Sequence, residues 1–400
     1  MWILAMFQTS IVPHEAVEKY GTKFGRHPVG TGPFTMAEAD WRSGQSMTFR
    51  KNPNYHACYY PEEHMPEDEA FGLHLAAGTR LPIADTIEFI MFVQDQPMWL
   101  QFLAGKIDYT QVPSEYFSDA FLRRSKKLKS KYRNRGMQGH PVALLDFIFY
   151  GFNMDDPLLG GYSDKSKKLR QAISLALDWD ERNEAFYNNM NVVYSGMIPP
   201  GLDGHPQAGD SVPQYRGLDL DRARQRLADA GYPGGNGLPV LEYYTSRGRN
   251  IQEQTEMLTA HLSKIGVRIN PHLVDFSTLI EAVTNKKAPF FSFAWGSDYP
   301  DAENNLALFY GPNSSPGSNH FNYKNSRYDK LYEKILVMSP SPERTTLIKT
   351  MRNMVIEDAP YCGAMARTRF YLQHPRLKNF KPTEDFHNWP KYLDIDESRK

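Results

Sequence analysis

Cysteine, unbalanced charge and long apolar runs are all scarce in this sequence. Its two cysteines, Cys58 and Cys362, exclude a disulfide framework and a four-thiolate metal site; they leave open two free thiols or one long-range bridge. Lys+Arg and Asp+Glu are equal at 46 each, and no nucleic-acid-binding motif is present, so no nucleic-acid partner is expected. No apolar run reaches the roughly 20 residues that a membrane span requires, so we expect none.

The motifs of the common enzyme classes are missing too. The sequence contains no Gly-x-Ser-x-Gly nucleophile elbow, no Gly-x-x-x-x-Gly-Lys-Ser/Thr phosphate loop and no Gly-x-Gly-x-x-Gly dinucleotide fingerprint. We therefore expect a protein that is not an enzyme and that needs no cofactor. A hydrolase with an unrecognised site remains the alternative from another functional class.

One acidic loop carries side chains that can ligate transition metals. They are His56, Cys58, Glu62, Glu63, His64 and His74. Their spacing matches no tight motif such as His-Glu-x-x-His, so we predict a solvated loop without a bound metal.

Length and patterning predict an α/β protein of more than one lobe. Four hundred residues exceed one ordinary domain, and an apolar content of 41% is typical of a globular chain. Apolar periodicity predicts strands and helices in alternation, which favours sheets covered by helices. The strands are predicted at 86–93, 144–154, 240–245, 267–269 and 272–274, and the helices at 96–104, 166–176, 219–230 and 251–265.

The most informative segment runs from residue 290 to 301. An apolar run of strand character ends at Trp295 and Gly296, and Asp298 and a proline turn follow. This order places Trp295 and Asp298 at the carboxyl end of a strand, where α/β folds bind ligands. A carboxylate there can accept charge-assisted hydrogen bonds from an ammonium group, and an indole offers its face to an apolar or cationic group. The competing interpretation is that Asp298 is a turn residue or a helix N-cap.

Six motifs occur in order along the chain. They are His-Pro-Val-Gly-Thr-Gly-Pro-Phe at 27–34, Arg-Lys-Asn-Pro-Asn-Tyr at 50–55, Phe-Leu-Ala-Gly-Lys-Ile-Asp at 102–108, Leu-Arg-Gln-Ala-Ile-Ser-Leu-Ala-Leu-Asp at 169–178, Asp-Ala-Gly-Tyr-Pro at 229–233 and Ala-Trp-Gly-Ser-Asp-Tyr at 294–299. Together they resemble the motifs of the dipeptide- and oligopeptide-binding proteins of ABC importers, solute-binding protein family 5, with Ala294 in place of the glycine in that family's Gly-Trp-x-x-Asp-Tyr. The resemblance covers nearly the whole chain and is specific for the family, but not for the ligand.

The resemblance implies a two-lobed, periplasmic-binding-protein-like α/β fold of the type II peptide-binding class. Lobe I is expected at 1–148 with a return at 375–400, lobe II at 150–373, and the hinge at 147–153 and 368–373. The lobes of such proteins close on a solute, and a membrane permease recognises the closed state. The ligand-binding residues implied are Asp298, Trp295, Gly296, Ser292, Tyr299 and Asn153.

The same resemblance implies a periplasmic or envelope-associated monomer that carries a peptide or a related small solute to an ABC permease. A nickel complex, an oligosaccharide or an opine are the alternative solutes, and a non-binding fragment is a further alternative. Some relatives carry an arginine where this chain has Ser292, so a peptide carboxylate is either not bound here or bound elsewhere.

Relatives also have a long stretch before the position of Met1, including a signal peptide and the first strands of lobe I. We therefore expect lobe I to be an incomplete sheet with an exposed edge, which is an aggregation hazard. The apolar residues at 1–7 are expected to form a buried strand or helix.

Overall fold

The computed structural model describes residues 2–6, 9–248, 250–383 and 388–399 of the chain. These residues form two compact units: unit 1 comprises Met1–Val142 and Arg369–Lys400, and unit 2 comprises Ala143–Thr368. The chain therefore crosses between the units twice, after Val142 and after Thr368, whereas the sequence places these boundaries near 148–150 and 373–375. Two cysteines are free, Cys362 buried and Cys58 partly exposed, so the long-range bridge is not formed.

Strands and helices alternate through much of the chain, as the apolar periodicity predicts. The strands are β1 (Phe34–Thr35), β2 (Trp41–Arg42), β3 (Ser46–Lys51), β4 (Thr86–Ile90), β5 (Tyr109–Gln111), β6 (Gln138–Ala143), β7 (Asp146–Phe152), β8 (Val192–Val193), β9 (Leu241–Ser246), β10 (Ile269–Val274), β11 (Phe290–Gly296), β12 (Tyr361–Ala366), β13 (Thr368–Gln373), β14 (Leu377–Lys378) and β15 (Asp394–Ile395). The helices are α1 (Trp2–Ala5), α2 (His14–Tyr20), α3 (Pro66–Glu69), α4 (Asp95–Leu103), α5 (Phe117–Ala120), α6 (Ser130–Arg133), α7 (Asp164–Leu175), α8 (Trp179–Tyr187), α9 (Leu220–Asp229), α10 (Ile251–Ser263), α11 (Phe276–Thr284), α12 (Ala302–Leu306), α13 (Ser326–Leu336) and α14 (Pro342–Asp358).

Unit 2 is built on a six-stranded mixed sheet in the order β10-β9-β11-β7-β12-β8. Strands β10, β9 and β11 run parallel, and β7 pairs antiparallel with both β11 and β12. Alternate side chains of β7 point to opposite faces. Phe147 and Phe149 pack into one apolar core, and Tyr150 and Phe152 into another. Both faces of the sheet are thus covered, which confirms the α/β fold class.

Helices supply the outer layers of unit 2 through their apolar faces. In α9, Ala223 and Leu227 are fully buried, and Asp219 caps the helix by accepting a hydrogen bond from the backbone N–H of Arg222. Helices α7, α9 and α10 contribute to the core beside Tyr150, whereas α11, α13 and α14 contribute to the core beside Phe147. Each fully buried large apolar side chain contributes about 1.5–3 kcal/mol to folding.

Unit 1 contains a four-stranded sheet, in which β3 pairs with β1, β2 and β4, and a three-stranded sheet in the order β5-β13-β6. Within the described residues β4 pairs only with β3, and its Phe89 and Ile90 are exposed. Sixteen of the twenty-three exposed large apolar side chains among the described residues lie in this unit. Strand β4 is therefore an edge strand with exposed apolar side chains among the described residues, and the incompleteness of lobe I stays a prediction.

The N-terminal apolar stretch differs from its prediction. Residues Trp2–Ala5 form the short helix α1, but Ile3 and Leu4 are 59% and 78% exposed. The prediction of a buried element is wrong for these two side chains, because a single helical turn cannot bury all its faces. Met1 and Phe7 lie outside the described residues.

Gly363 of β12 lies at an irregular part of the sheet of unit 2. The register between β12 and β7 shifts between Cys362 and Met365, and Gly363 within this shift has φ +67°. A Cβ placed on Gly363 would lie 1.9 Å from Cε2 of Trp179, the first residue of α8. Any side chain at position 363 therefore meets both a left-handed backbone and a packed indole.

We predict that Gly363→Ala lowers the free energy of unfolding by about 2–4 kcal/mol, because it combines overpacking with an unfavourable φ. Chemical denaturation checks this value. Gly296→Ala in β11 is the matched control, since its Cβ would lie 3.6 Å from Oδ1 of Asp146 at an ordinary φ. Equal stability of the two variants would contradict the packing argument.

Candidate binding site at the carboxyl end of β11

The candidate site lies at one edge of the sheet of unit 2. Because β9, β10 and β11 are parallel, their carboxyl ends meet at this edge. Strand β11 ends at Gly296, and Asp298 follows in the loop that leads to α12. The Trp295 side chain is half-buried and packs against the core that contains Phe147.

One buried amide joins the indole and the carboxylate of this site. Nε1 of Trp295 and the backbone N–H of Asp298 both donate to Oδ1 of Asn304, at 2.8 and 3.1 Å. Nδ2 of Asn304 donates to Oδ2 of Asp298 at 3.1 Å. Asn304 is only 6% exposed, so these bonds form away from competing water. Asn304 thus fixes the positions of Trp295 and Asp298 relative to each other.

The short helix α12 delivers Asn304 to this position. Asp301 is its N-cap, and the Asp301 carboxylate accepts hydrogen bonds from the backbone N–H of Glu303 and from Nη2 of Arg344, each at 2.9 Å. The Arg344 and Asp301 side chains are 8% and 16% exposed, so this ion pair is largely buried. It ties the start of α12 to α14 and keeps Asn304 beneath Asp298.

The Asp298 carboxylate keeps one oxygen available. The residue is exposed, and among the described residues no side chain forms an ion pair with it or donates a hydrogen bond to Oδ1. Asp301, and not Asp298, caps the helix, so the N-cap interpretation of Asp298 is wrong, whereas Asp298 does lie in a bend, as the turn interpretation has it. The site therefore presents a negative, partly unsatisfied acceptor to solvent beside an indole.

Tyr299 lies beside Asp298, but its hydroxyl is already engaged. Oη of Tyr299 donates to Oε2 of Glu303 at 2.5 Å, and Oη of Tyr332 donates to the other carboxylate oxygen. Burial and the bond to Glu303 raise the pKa of both phenols well above their usual range, so both stay protonated at neutral pH. Tyr299 thus supports the loop through its hydroxyl, and its ring is half-buried.

The last residues of β11 are held against β7. Ser297 donates through both its backbone N–H and its hydroxyl to the carbonyl of Leu145, and the hydroxyl also contacts Asn305 at 2.6 Å. Gly296 is exposed and pairs with Asp146, whose carboxylate forms an ion pair with Arg367. These contacts fix the main chain of Gly296 and Ser297 next to the Asp298 carboxylate.

Two of the residues implied by the family resemblance are not brought to this site. Ser292 lies on the opposite face of β11 from Trp295, and its hydroxyl bonds to Thr245 at 2.9 Å. Asn153 follows the far end of β7, where Phe152 pairs with Phe290 at the start of β11. Phe290 and Gly296 are six residues apart on β11, so Asn153 lies roughly 20 Å from Gly296 at 3.3 Å per residue.

The amide of Asn153 has structural partners. It is 4% exposed, donates to the carbonyl of Lys286 at 3.3 Å, and accepts from Asn322 and from the backbone N–H of Asp155 at 3.1 Å each. Placing Asn153 among the ligand-binding residues of this site is therefore corrected, because the antiparallel pairing carries it to the opposite edge of the sheet.

No metal centre is found within the described residues: no group of three or more His, Cys, Asp or Glu side chains is arranged to hold an ion. In the loop considered for metal binding, the rings of His64 and His74 are 5.4 Å apart, and Nε2 of His64 contacts Glu69 at 3.2 Å. No helix of the described parts of the chain has the length and apolarity to cross a membrane.

The chain belongs to the bacterial extracellular solute-binding proteins, family 5, whose middle region matches residues 2–317. This result confirms the family resemblance seen in the sequence motifs.

Individual relatives agree with this assignment. Among curated proteins, the oligopeptide-binding protein AppA of Bacillus subtilis is 23% identical over 92% of this chain and 62% of its own length. Heme-binding protein A of Haemophilus influenzae is 26% identical over 53% of this chain and 39% of its own length. The chain thus spans less than two thirds of the length of these relatives.

Solved structures share the fold. HbpA2 from Haemophilus parasuis superposes with a TM-score of 0.74 at 16% identity, covering 99% of this chain and 71% of that one. DppA from Helicobacter pylori, in complex with the peptide STSA, superposes with a TM-score of 0.71 at 19% identity, covering 99% and 70%. At these identities the likeness establishes the fold, and it matches the two-lobed class expected from the sequence.

Asn304 is the residue of this site that sequence reasoning misses. Its only signal is position: it lies six residues after Asp298, on the far side of a proline turn and in the first turns of a capped helix. The pair of asparagines at positions 304 and 305 matches no known motif. The contact depends on how the turn folds back, which no local pattern encodes.

We predict that Asn304→Ala releases Trp295 and lowers the free energy of unfolding by about 1–3 kcal/mol, because a partly buried indole N–H loses its acceptor. The indole ¹H–¹⁵N resonance of Trp295, assigned through Trp295→Phe among the six tryptophans of the chain, would shift and exchange faster.

Asn325→Ala is the control for this prediction, since Asn325 caps α13 and bonds to the backbone N–H groups of Arg327 and Tyr328, so its loss should lower stability and leave the Trp295 resonance close to its original position. An unchanged Trp295 resonance in Asn304→Ala would show that Asn304 does not position the indole.

Proposed function

We propose that this chain binds a small solute with a free ammonium group, of which a peptide is the best candidate. In this proposal Oδ1 of Asp298 accepts a hydrogen bond from the ammonium, and Trp295 packs against the adjoining part of the solute. The exposed main chain at Gly296 and the ring of Tyr299 border the solute. Asn304 is a positioning residue that contacts no solute.

The observation that carries this proposal is the exposed, singly hydrogen-bonded carboxylate beside an indole. A carboxylate with one oxygen satisfied internally and one oxygen open favours a cationic donor over a carboxylate or phosphate group. The indole face is attractive to the same positive charge, so both side chains select for one kind of group.

The family alone leaves the solute open. Relatives named for oligopeptides, heme and glutathione are found among the curated proteins, and one solved neighbour is a complex with agropinic acid. The negative charge at Asp298 is what favours an ammonium-bearing peptide for this chain. Metal-dependent binding, or binding of a sugar or an opine without an ammonium group, would point to the alternative solutes instead.

The wider role follows from the family. In this proposal units 1 and 2 act as the two lobes, with the crossings after Val142 and Thr368 as the hinge. The liganded, closed state is then recognised by an ABC permease, and the protein works as a monomer at the cell envelope. Transport requires no chemistry on the solute, so the chain is proposed to be a carrier and not an enzyme.

We predict that Asp298→Ala weakens binding of tri-alanine with a free amino terminus by about 10- to 100-fold, since a charge-assisted hydrogen bond contributes about 1.5–3 kcal/mol. N-acetyl-tri-alanine should bind poorly to both the original protein and the variant. Isothermal titration calorimetry measures all four affinities.

Asp221→Asn provides the matched control, because Asp221 is also an exposed carboxylate of unit 2 but lies on α9, which packs into the core beside Tyr150. Its neutralisation should leave the affinity nearly unchanged. Equal binding of the free and the acetylated peptide by the original protein would remove Asp298 from the proposed role, and recovery of a hydrolysed peptide would favour the enzyme alternative.

A further inference from the structure

A second aromatic surface lies at the same edge of the sheet as Asp298. Phe276, the first residue of α11, directly follows Asp275 at the carboxyl end of β10 and is 61% exposed. A single exposed apolar residue is common on protein surfaces, and it points to a contact surface only where further apolar groups adjoin it. None of the roles assigned above accounts for Phe276.

Phe276 does not stand alone. Its ring stacks on that of Phe293 of β11, with centroids 5.9 Å apart and planes 18° from parallel. The ring of His320 meets Phe293 edge-on, with centroids 5.4 Å apart. Burial lowers the pKa of His320, so its imidazole is neutral at pH 7 and adds no charge to this surface. The pair is held in place by packing and is still partly open to solvent.

The aromatic pair is continuous with the site at Asp298. Phe293 and Trp295 are two residues apart on β11 and therefore point to the same face, with side chains roughly 7 Å apart. Moving away from Asp298 along the strand, the order is Trp295, then Phe293 with Phe276. An extended peptide repeats its side-chain direction at the same spacing, so a chain anchored at Asp298 reaches the pair within three residues.

We propose that the Phe276–Phe293 pair receives a large apolar side chain from the first three residues of a peptide anchored at Asp298. This inference rests on the proposed function and narrows its substrate class to peptides with an aromatic or large aliphatic residue near the amino terminus. Arg247 and Asp275 face each other at 3.8 Å beside the pair and are both well exposed, so they border the surface without filling it.

The test compares tri-alanine with Phe-Ala-Ala, Ala-Phe-Ala and Ala-Ala-Phe by titration calorimetry. At least one phenylalanine peptide should bind about 3- to 10-fold tighter than tri-alanine, the range expected for one added aromatic contact. Phe276→Ala should remove that preference and leave the affinity for tri-alanine unchanged. Phe276 is largely exposed, so the variant is expected to fold normally.

Leu336→Ala is the matched control, because Leu336 is a similarly exposed apolar residue at the end of α13. It should preserve the preference for phenylalanine.

The inference is overturned if no phenylalanine peptide is preferred, or if the preference survives in Phe276→Ala. The N-acetylated forms of the same peptides separate the two proposals. If the preference for phenylalanine needs Phe276 but not the free amino group, the role of Asp298 is contradicted and the role of the aromatic pair is not. Failure of all four peptides to bind would contradict both.

Discussion

The buried amide of Asn304 is the interaction on which the site depends. Asp298 follows a strand by two residues and would otherwise be a mobile loop carboxylate. Asn304 accepts hydrogen bonds from the Asp298 backbone and from the Trp295 indole, and it donates one to a carboxylate oxygen of Asp298. The ordering entropy of the loop is thereby lost during folding and not during binding, which is the general advantage of a preorganised site.

This arrangement rests in turn on the ion pair between Asp301 and Arg344. Both side chains are largely removed from water, so loss of one partner would leave an uncompensated charge in the unit 2 core. Such a pair adds little net stability compared with apolar packing, but it specifies one position for the start of α12. The position of Asn304, and through it the geometry of Trp295 and Asp298, follows from that specification.

The residues implied by the family resemblance differ in whether their polar groups are already satisfied within the fold. Tyr299 and Asn153 use their hydrogen-bonding groups within the fold, and the hydroxyl of Ser292 bonds to Thr245. Asp298 alone among the six residues implied by the family resemblance presents a charged group with an open acceptor. A family motif identifies the segment, whereas the hydrogen-bond inventory identifies the group that a solute can use.

Much of the fold and part of the site could be predicted from sequence because the signals are local. The apolar face of α9 and its Asp219 cap are encoded by residues close together in the sequence. The same is true of the abrupt end of β11. Asn304 and Asn153 could not be placed, since their partners depend on a turn folding back and on a residue 169 positions away, Asn322. The wrong prediction of a buried N-terminal element has the same origin, because burial depends on what the rest of the fold places against it.

The most direct test is a crystal structure of the chain bound to a tripeptide with a free amino terminus. The account predicts the ammonium nitrogen at about 2.7–3.2 Å from Oδ1 of Asp298, with Asn304 still bonded to Oδ2. An ammonium group bound elsewhere, with Asp298 facing only water, would contradict it.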